Sequence, residues 1–163
     1  MLATGRNLKI NRGLKIIFTL GLPLCLFQAC KTSNTINMQK NIIQTQSAPA
    51  PIGPYSQAVL SGNTLYVSGA IALDPGNGQM IQTDIESETR QVMKNLGEIL
   101  QAAGMDYSNI VKTTIYVIDL GNFAKINGVY GSYFSKDFPA RETVQVSALP
   151  KAANVEISVI AVK

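Results

Sequence analysis

The chain has 163 residues, enough for one domain of ordinary size around one hydrophobic core. Its formal charge of +4 is not spread over that domain: Arg6, Lys9, Arg12 and Lys15 all precede residue 30 and no acid does. Removing these four from the 14 basic residues leaves 10, equal to the 10 acidic ones, so the remainder gives no support for a nucleic-acid partner.

The side chains available for chemistry are limited too. There is no histidine, and both cysteines, Cys25 and Cys30, lie in the N-terminal stretch. This removes Ser-His-Asp and Cys-His catalysis, metal sites that need imidazole or clustered thiolates, and any disulfide within the domain.

In chain order, the four basic residues lead into an apolar run, Ile16 to Phe27, that is too short to span a bilayer comfortably. With Gln28-Ala29-Cys30 behind it, residues 1–30 read as an export signal, and the Leu26-Phe27-Gln28-Ala29-Cys30 end resembles a bacterial lipoprotein signal. Cys30 would then be the lipidated anchor of an exported protein and its only tie to a membrane. The alternative is translation from Met38 and a cytoplasmic protein. Residues 31–40 are polar and aperiodic, as a tether would be, and residues 41–163 hold the folded domain.

Pro49, Pro51, Gly53 and Pro54 predict a rigid irregular segment ending at Tyr55. Gln57 to Leu60 and Thr64 to Ser68 then read as a hairpin around Ser61-Gly62-Asn63, and Asp74-Pro75-Gly76-Asn77-Gly78 as a second turn. Thr83-Asp84-Ile85-Glu86 has capping-box spacing. Behind it Ile85, Val92, Leu96, Ile99 and Ala103 recur at helical spacing while Glu88, Arg90, Lys94 and Glu98 fall elsewhere, so an amphipathic helix is predicted up to Gly104.

Ile110 to Ile118 is β-branched and predicts a strand with Val111, Thr113, Ile115 and Val117 on one face. Asp119 to Phe134 returns to helical spacing, weakened by three glycines, and Glu142 to Ala148 and Val155 to Val162 alternate as two more strands. The order is α+β, with two helices on one face of a sheet. The other face carries Val144, Val146, Ile160 and Val162, an apolar patch that self-association would cover.

Two residues stand out chemically. Arg90 sits mid-helix among Glu86, Glu88 and Lys94, where a solvated ion pair suffices. Arg141 follows Phe138-Pro139-Ala140 at the mouth of a strand, and its planar fork suits a carboxylate, although the pattern alone favours a structural salt bridge over a ligand site. Glu156 interrupts the apolar run Val155 to Val162. Partly buried, it would have a raised pKa and could move protons on water; at a sheet edge it would merely face solvent.

Ile52-Gly53-Pro54-Tyr55-Ser56-Gln57-Ala58, Val67-Ser68-Gly69, Val111-Lys112-Thr113-Thr114, Asp119-Leu120 with Phe123, Asn127 with Tyr130, Phe138-Pro139-Ala140-Arg141 and Leu149-Pro150-Lys151 with Val155-Glu156-Ile157 together resemble the RidA/YjgF family. The resemblance covers Met38 to Lys163. It implies a chorismate-mutase-like single mixed sheet with two helices on one face, a homotrimer with its sites between subunits, and hydrolysis of 2-imino acids or their enamines to 2-keto acids and ammonia, with no cofactor and no metal.

By the same resemblance, Arg141 binds the substrate carboxylate and Glu156 handles the attacking water, while Tyr55, Ser68, Gly69 and Asn127 line the cleft. Thr143 stands where the family often has cysteine, so sensing through a thiol is excluded there and a changed rate or substrate range is expected. The competing expectation is a non-enzymatic module that binds small ligands or acts as a holdase on the same fold. RNA cleavage ranks last.

Overall fold

The computed structural model describes residues 39–163. Six strands form one mixed sheet in the order β1-β2-β3-β6-β4-β5. They are β1 (Lys40–Ile43), β2 (Ala58–Ser61), β3 (Thr64–Ala70), β4 (Ile110–Val117), β5 (Ala140–Gln145) and β6 (Val155–Val162). Only the β4–β5 pair is parallel, and helix α2 (Phe123–Gly131) lies in the crossover between them.

The β2–β3 hairpin turns at Gly62, whose φ of 60° is the left-handed value glycine adopts without strain. The second predicted turn is also present. Gly78 N–H donates to the Asp74 carbonyl, and the Asp74 carboxylate accepts from Gly76 N–H.

Helix α1 (Ile85–Ala102) and α2 cover one face of the sheet. Val92, Met93, Leu96, Ile99 and Leu100 of α1 and Ile126 and Tyr130 of α2 meet Leu65, Ile115, Val117, Val155, Ile157 and Val159 in the main core. Each large side chain fully buried there contributes about 1.5–3 kcal/mol. The other face is open. It carries Tyr66, which is exposed, and the alternate half-buried positions of β4 and β6, including Tyr116, Ile160 and Val162, with Val144 beside them on β5.

Several sequence expectations are corrected. The tether predicted over residues 31–40 overlaps the first strand, because β1 begins at Lys40; its mostly exposed residues pair with β2 at the sheet edge and carry no amphipathic signal. The cap of α1 is Asp84, not Thr83: its carboxylate accepts from Ser87 N–H and Ser87 Oγ, each at 2.8 Å. Those bonds hold its carboxyl below the ordinary value. Glu88, predicted to face water, is buried.

Val111 was expected on the inner face and is 49 % exposed, because a bulge between Ile110 and Lys112 resets the alternation of β4. The second helix is shorter than Asp119 to Phe134, and β5 begins two residues before Glu142 and ends at Gln145. At the C-terminus of α1 the expectation holds: Gly104 takes a φ of 69°, and bonds from Gly104 N–H to the Gln101 carbonyl and from Met105 N–H to the Leu100 carbonyl close the helix.

Candidate active site

Arg141 is the second residue of β5 and lies opposite Thr113 in register, on the helix-covered face. Tyr130, projecting from α2, donates its hydroxyl to Thr113 Oγ1 at 3.0 Å and so fixes its ring beneath the guanidinium. The Arg141 Cζ stands 5.0 Å from that ring's centroid and 5.8 Å from the Phe123 ring. A cation over an aromatic face gains about 0.5–2 kcal/mol, and the ring leaves the guanidinium edge free for an anion.

Two sequence alternatives close at this point. Glu142, the nearest acid in sequence, projects to the opposite face and pairs there with Lys112 while accepting from Thr114 Oγ1 at 2.6 Å. The Lys112 contact holds the Glu142 carboxyl below its ordinary value. Arg141 therefore has no ion-pair partner among the described residues. Beside it is a cavity of about 420 Å³ lined by Asn127, Tyr130, Gly131, Phe138, Pro139 and Arg141. Arg90, expected in a surface pair, also has no salt bridge among the described residues.

Glu156 sits on β6, between β3 and β4, so the reading as an edge-strand carboxylate is excluded. It opposes Tyr116 on the open face, three positions from inward-facing Val159. Burial raises its pKa above the ordinary carboxylate value. Gly69 makes this placement feasible, because a Cβ there would overlap the Glu156 carboxylate. Ser68 donates its hydroxyl to the Ser56 carbonyl at 2.7 Å, and the Tyr55 hydroxyl accepts from Ile52 N–H at 3.2 Å. Glu156, Tyr55, Ser68 and Gly69 line a cavity of about 230 Å³ with Ile52, Ile71 and Pro150.

The predicted residues thus form two groups. Tyr55, Ser68, Gly69 and Glu156 share one cavity, and Asn127 and Arg141 another, on opposite faces of the sheet. Thr143 lies on β5 opposite Ile115, on the same face as Arg141, and lines neither cavity.

Sequence reasoning missed the groups that support these residues. Gln57 is buried and holds the irregular segment, its Nε2 donating to the carbonyls of Thr45, Ala48 and Pro49 and its Oε1 accepting from Thr45 N–H. The signal was there to find: a glutamine next to a proline-rich segment is well suited to satisfying carbonyls that no ladder takes. Asn95, likewise buried, donates to the carbonyls of Ile71 and Leu73. Pro150, Lys151 and Ala152 form a turn in which Lys151 and Ala152 have φ of 57° and 54°; such residues cost of order 1–3 kcal/mol each and cluster at functional sites.

Residues 45–163 match the family pattern described as Endoribonuclease L-PSP. The chain belongs to this family, the RidA/YjgF group. The human protein named 2-iminobutanoate/2-iminopropanoate deaminase is 47% identical over 124 residues, which are 76% of this chain and 90% of that one. Reactive Intermediate Deaminase A, chloroplastic, of Arabidopsis thaliana is 46% identical over 125 residues, 77% of this chain and 67% of its own length. Among solved structures, the YjgF gene product of E. coli superposes with a TM-score of 0.73 at 42% identity, covering 76% of this chain and 98% of that chain.

These relatives bear out the RidA/YjgF resemblance and its fold, and they correct the reading of an exported lipoprotein. The three are named as deaminases or as the YjgF gene product, one of them chloroplastic and none a lipoprotein, and the family match begins at residue 45. Membrane anchoring through Cys30 is withdrawn; Cys30 and the signal assigned to residues 1–30 lie outside the described residues. Among the described residues no helix is long and apolar enough to cross a membrane.

Proposed function

We propose that this chain is an imine deaminase: it hydrolyses reactive 2-imino acids and their enamine tautomers to 2-keto acids and ammonia. The observation that carries this is Arg141, a guanidinium held over Tyr130 at a cavity mouth with no acid of its own among the described residues. Such a group binds a substrate carboxylate through two charge-assisted hydrogen bonds. The names of the human and Arabidopsis relatives support the reaction class.

Water attacks C2 of the bound imine, and the Glu156 carboxylate takes its proton as the C–O bond forms. Glu156 returns that proton to nitrogen to give the carbinolamine, then carries the hydroxyl proton to the same nitrogen, so that the C–N bond breaks as C=O forms and ammonia leaves. Burial suits the carboxyl to both steps by bringing its pKa closer to neutrality. The substrate side chain fits against Ile52, Ile71 and Pro150, the apolar part of the Glu156 cavity.

Since Arg141 and Glu156 lie on opposite faces of one sheet, each protomer holds two half-sites. A complete site then joins Arg141 and Asn127 of one chain to Tyr55, Ser68, Gly69 and Glu156 of the next. The homotrimer implied by the family resemblance supplies that junction, and the open sheet face with Tyr66, Tyr116, Ile160 and Val162 is the surface it covers.

The test is ammonia release from 2-iminopropanoate generated in situ by an amino-acid oxidase. Purified protein is expected to accelerate it well above the buffer rate. Arg141→Ala is expected to cost about 2–4 kcal/mol of transition-state stabilisation in kcat/KM, the value of losing a charged hydrogen-bonding partner. Saturable binding of 2-imino or 2-keto acids without turnover would instead support the binding-module alternative.

A further inference from the structure

Glu88 is the one fully buried carboxylate among the described residues, and the proposed chemistry does not use it. It is 1 % exposed, with both oxygens committed to a residue 66 positions downstream. Oε1 accepts from the Asn154 backbone N–H at 2.7 Å and Oε2 from Asn154 Nδ2 at 2.9 Å. No cation pairs with it among the described residues. An unpaired buried carboxylate is costly, and an aliphatic side chain at this helix position would join the neighbouring core without that penalty.

What it holds explains the cost. Asn154 ends the turn in which Lys151 and Ala152 both take left-handed backbone conformations without being glycine. Strained residues of this kind persist only where their surroundings over-determine them. The other ties are few: Gln82 Nε2 donates to the Ala152 carbonyl, Ala153 N–H to that of Pro150, and Ile118 N–H to that of Asn154. Upstream of the clamp, Pro150 lines the Glu156 cavity; downstream, Glu156 follows Asn154 by two residues.

The geometry points to Glu88 as a positioning residue: through Asn154 it fixes the strained turn that places Pro150 and Glu156 in their half-site, without itself touching substrate. This rests on the deaminase reading. Asn154 presents two donors as a fork, and a carboxylate meets both with acceptors alone. Glutamine can do so only if the Asn154 amide turns over, so that Oδ1 accepts from the new Nε2. Leucine can do neither.

The experiment compares Glu88→Leu, Glu88→Gln and Asn154→Ala in the full chain. Glu88→Leu and Asn154→Ala are expected to lose kcat on 2-iminopropanoate by about 10- to 100-fold, the usual effect of a misplaced catalytic group. KM, governed by the Arg141 half-site, stays near the native value, and Glu88→Gln recovers most of kcat. If Glu88→Leu does not fold, Asn154→Ala, which removes a single side-chain bond, carries the comparison.

A second readout needs no turnover: carbon-13 titration of the Glu156 carboxyl, expected to move back toward the ordinary carboxylate range in Asn154→Ala. Retained kcat in the folded variants overturns the assignment, as does a loss confined to KM, or Glu88→Gln behaving like Glu88→Leu. If native protein hydrolyses no imine, the deaminase reading falls, and the titration decides the clamp: an unchanged Glu156 titration in Asn154→Ala overturns it.

Discussion

Glu156 is pulled two ways by its burial. Its pKa in the folded protein lies above the unfolded value, so the protonated carboxyl is compatible with the fold at low pH, and that contribution to stability is lost as pH rises through the folded value. The proposed catalysis asks for the opposite form, since only the carboxylate accepts a proton from water. The acid limb of the pH profile of kcat/KM is therefore expected to have its midpoint above 4.5, the ordinary value for glutamate. Glu156→Gln should remove that limb and lower the rate by about 10²–10⁴-fold, the range for losing a general base. A limb at the ordinary value, or one that persists in Glu156→Gln, would assign the proton transfer elsewhere. Gly69 belongs to the same argument, because the carboxylate occupies the space that any larger residue would need.

Helix α1 shows how far sequence pattern reaches. Its apolar spacing and its glycine stop were legible because both are local signals, set within a few residues. The role of Glu88 was not, since its partner is 66 residues away; three residues after Ile85 and four before Val92 it shares the buried face, and only its charge argued for the surface. The bulge in β4 was hidden for a related reason: it is a property of pairing with β6, and an alternating run cannot announce where its alternation resets. The site was legible as a set of residue types in family order, but its division between two faces was not, because that depends on which strands become neighbours. Gly97 gives a test at this scale. A Cβ there would overlap the Tyr107 hydroxyl, which donates to the Met93 carbonyl at 2.8 Å and whose ring packs against Tyr133 and Phe134. Alanine gains about 1 kcal/mol of helix propensity over glycine, against about 1–3 kcal/mol for overpacking. Since Tyr107 is held on several sides, Gly97→Ala is expected to destabilise the protein by up to about 2 kcal/mol in urea unfolding, with activity per folded molecule unchanged. A rise in stability would mean that the ring moves aside freely.

At the scale of the whole molecule, the opposite placement of Arg141 and Glu156 makes the proposed assembly a condition of activity and not only of stability. One protomer offers the Arg141 cavity on its helix-covered face and the Glu156 cavity on its open face. Joining unlike surfaces head to tail closes a ring, and each junction then holds one Arg141 and the Glu156 of a neighbour. Arg141→Ala and Glu156→Ala should each keep no more than a few per cent of native activity alone. Unfolded together in equal amounts and refolded, they should form mixed rings in which a junction is complete only when an Arg141-bearing half from one variant meets a Glu156-bearing half from the other. Random assembly gives that arrangement at about a quarter of junctions, so the mixture should recover about a quarter of native activity from two crippled proteins. If the site lay within one chain, no mixing ratio would restore anything, because every chain present carries a lesion. Recovery that peaks at equal amounts and falls off on either side is therefore the signature of a site shared between protomers, and a mixture that refolds to native mass and gains no activity would refute it.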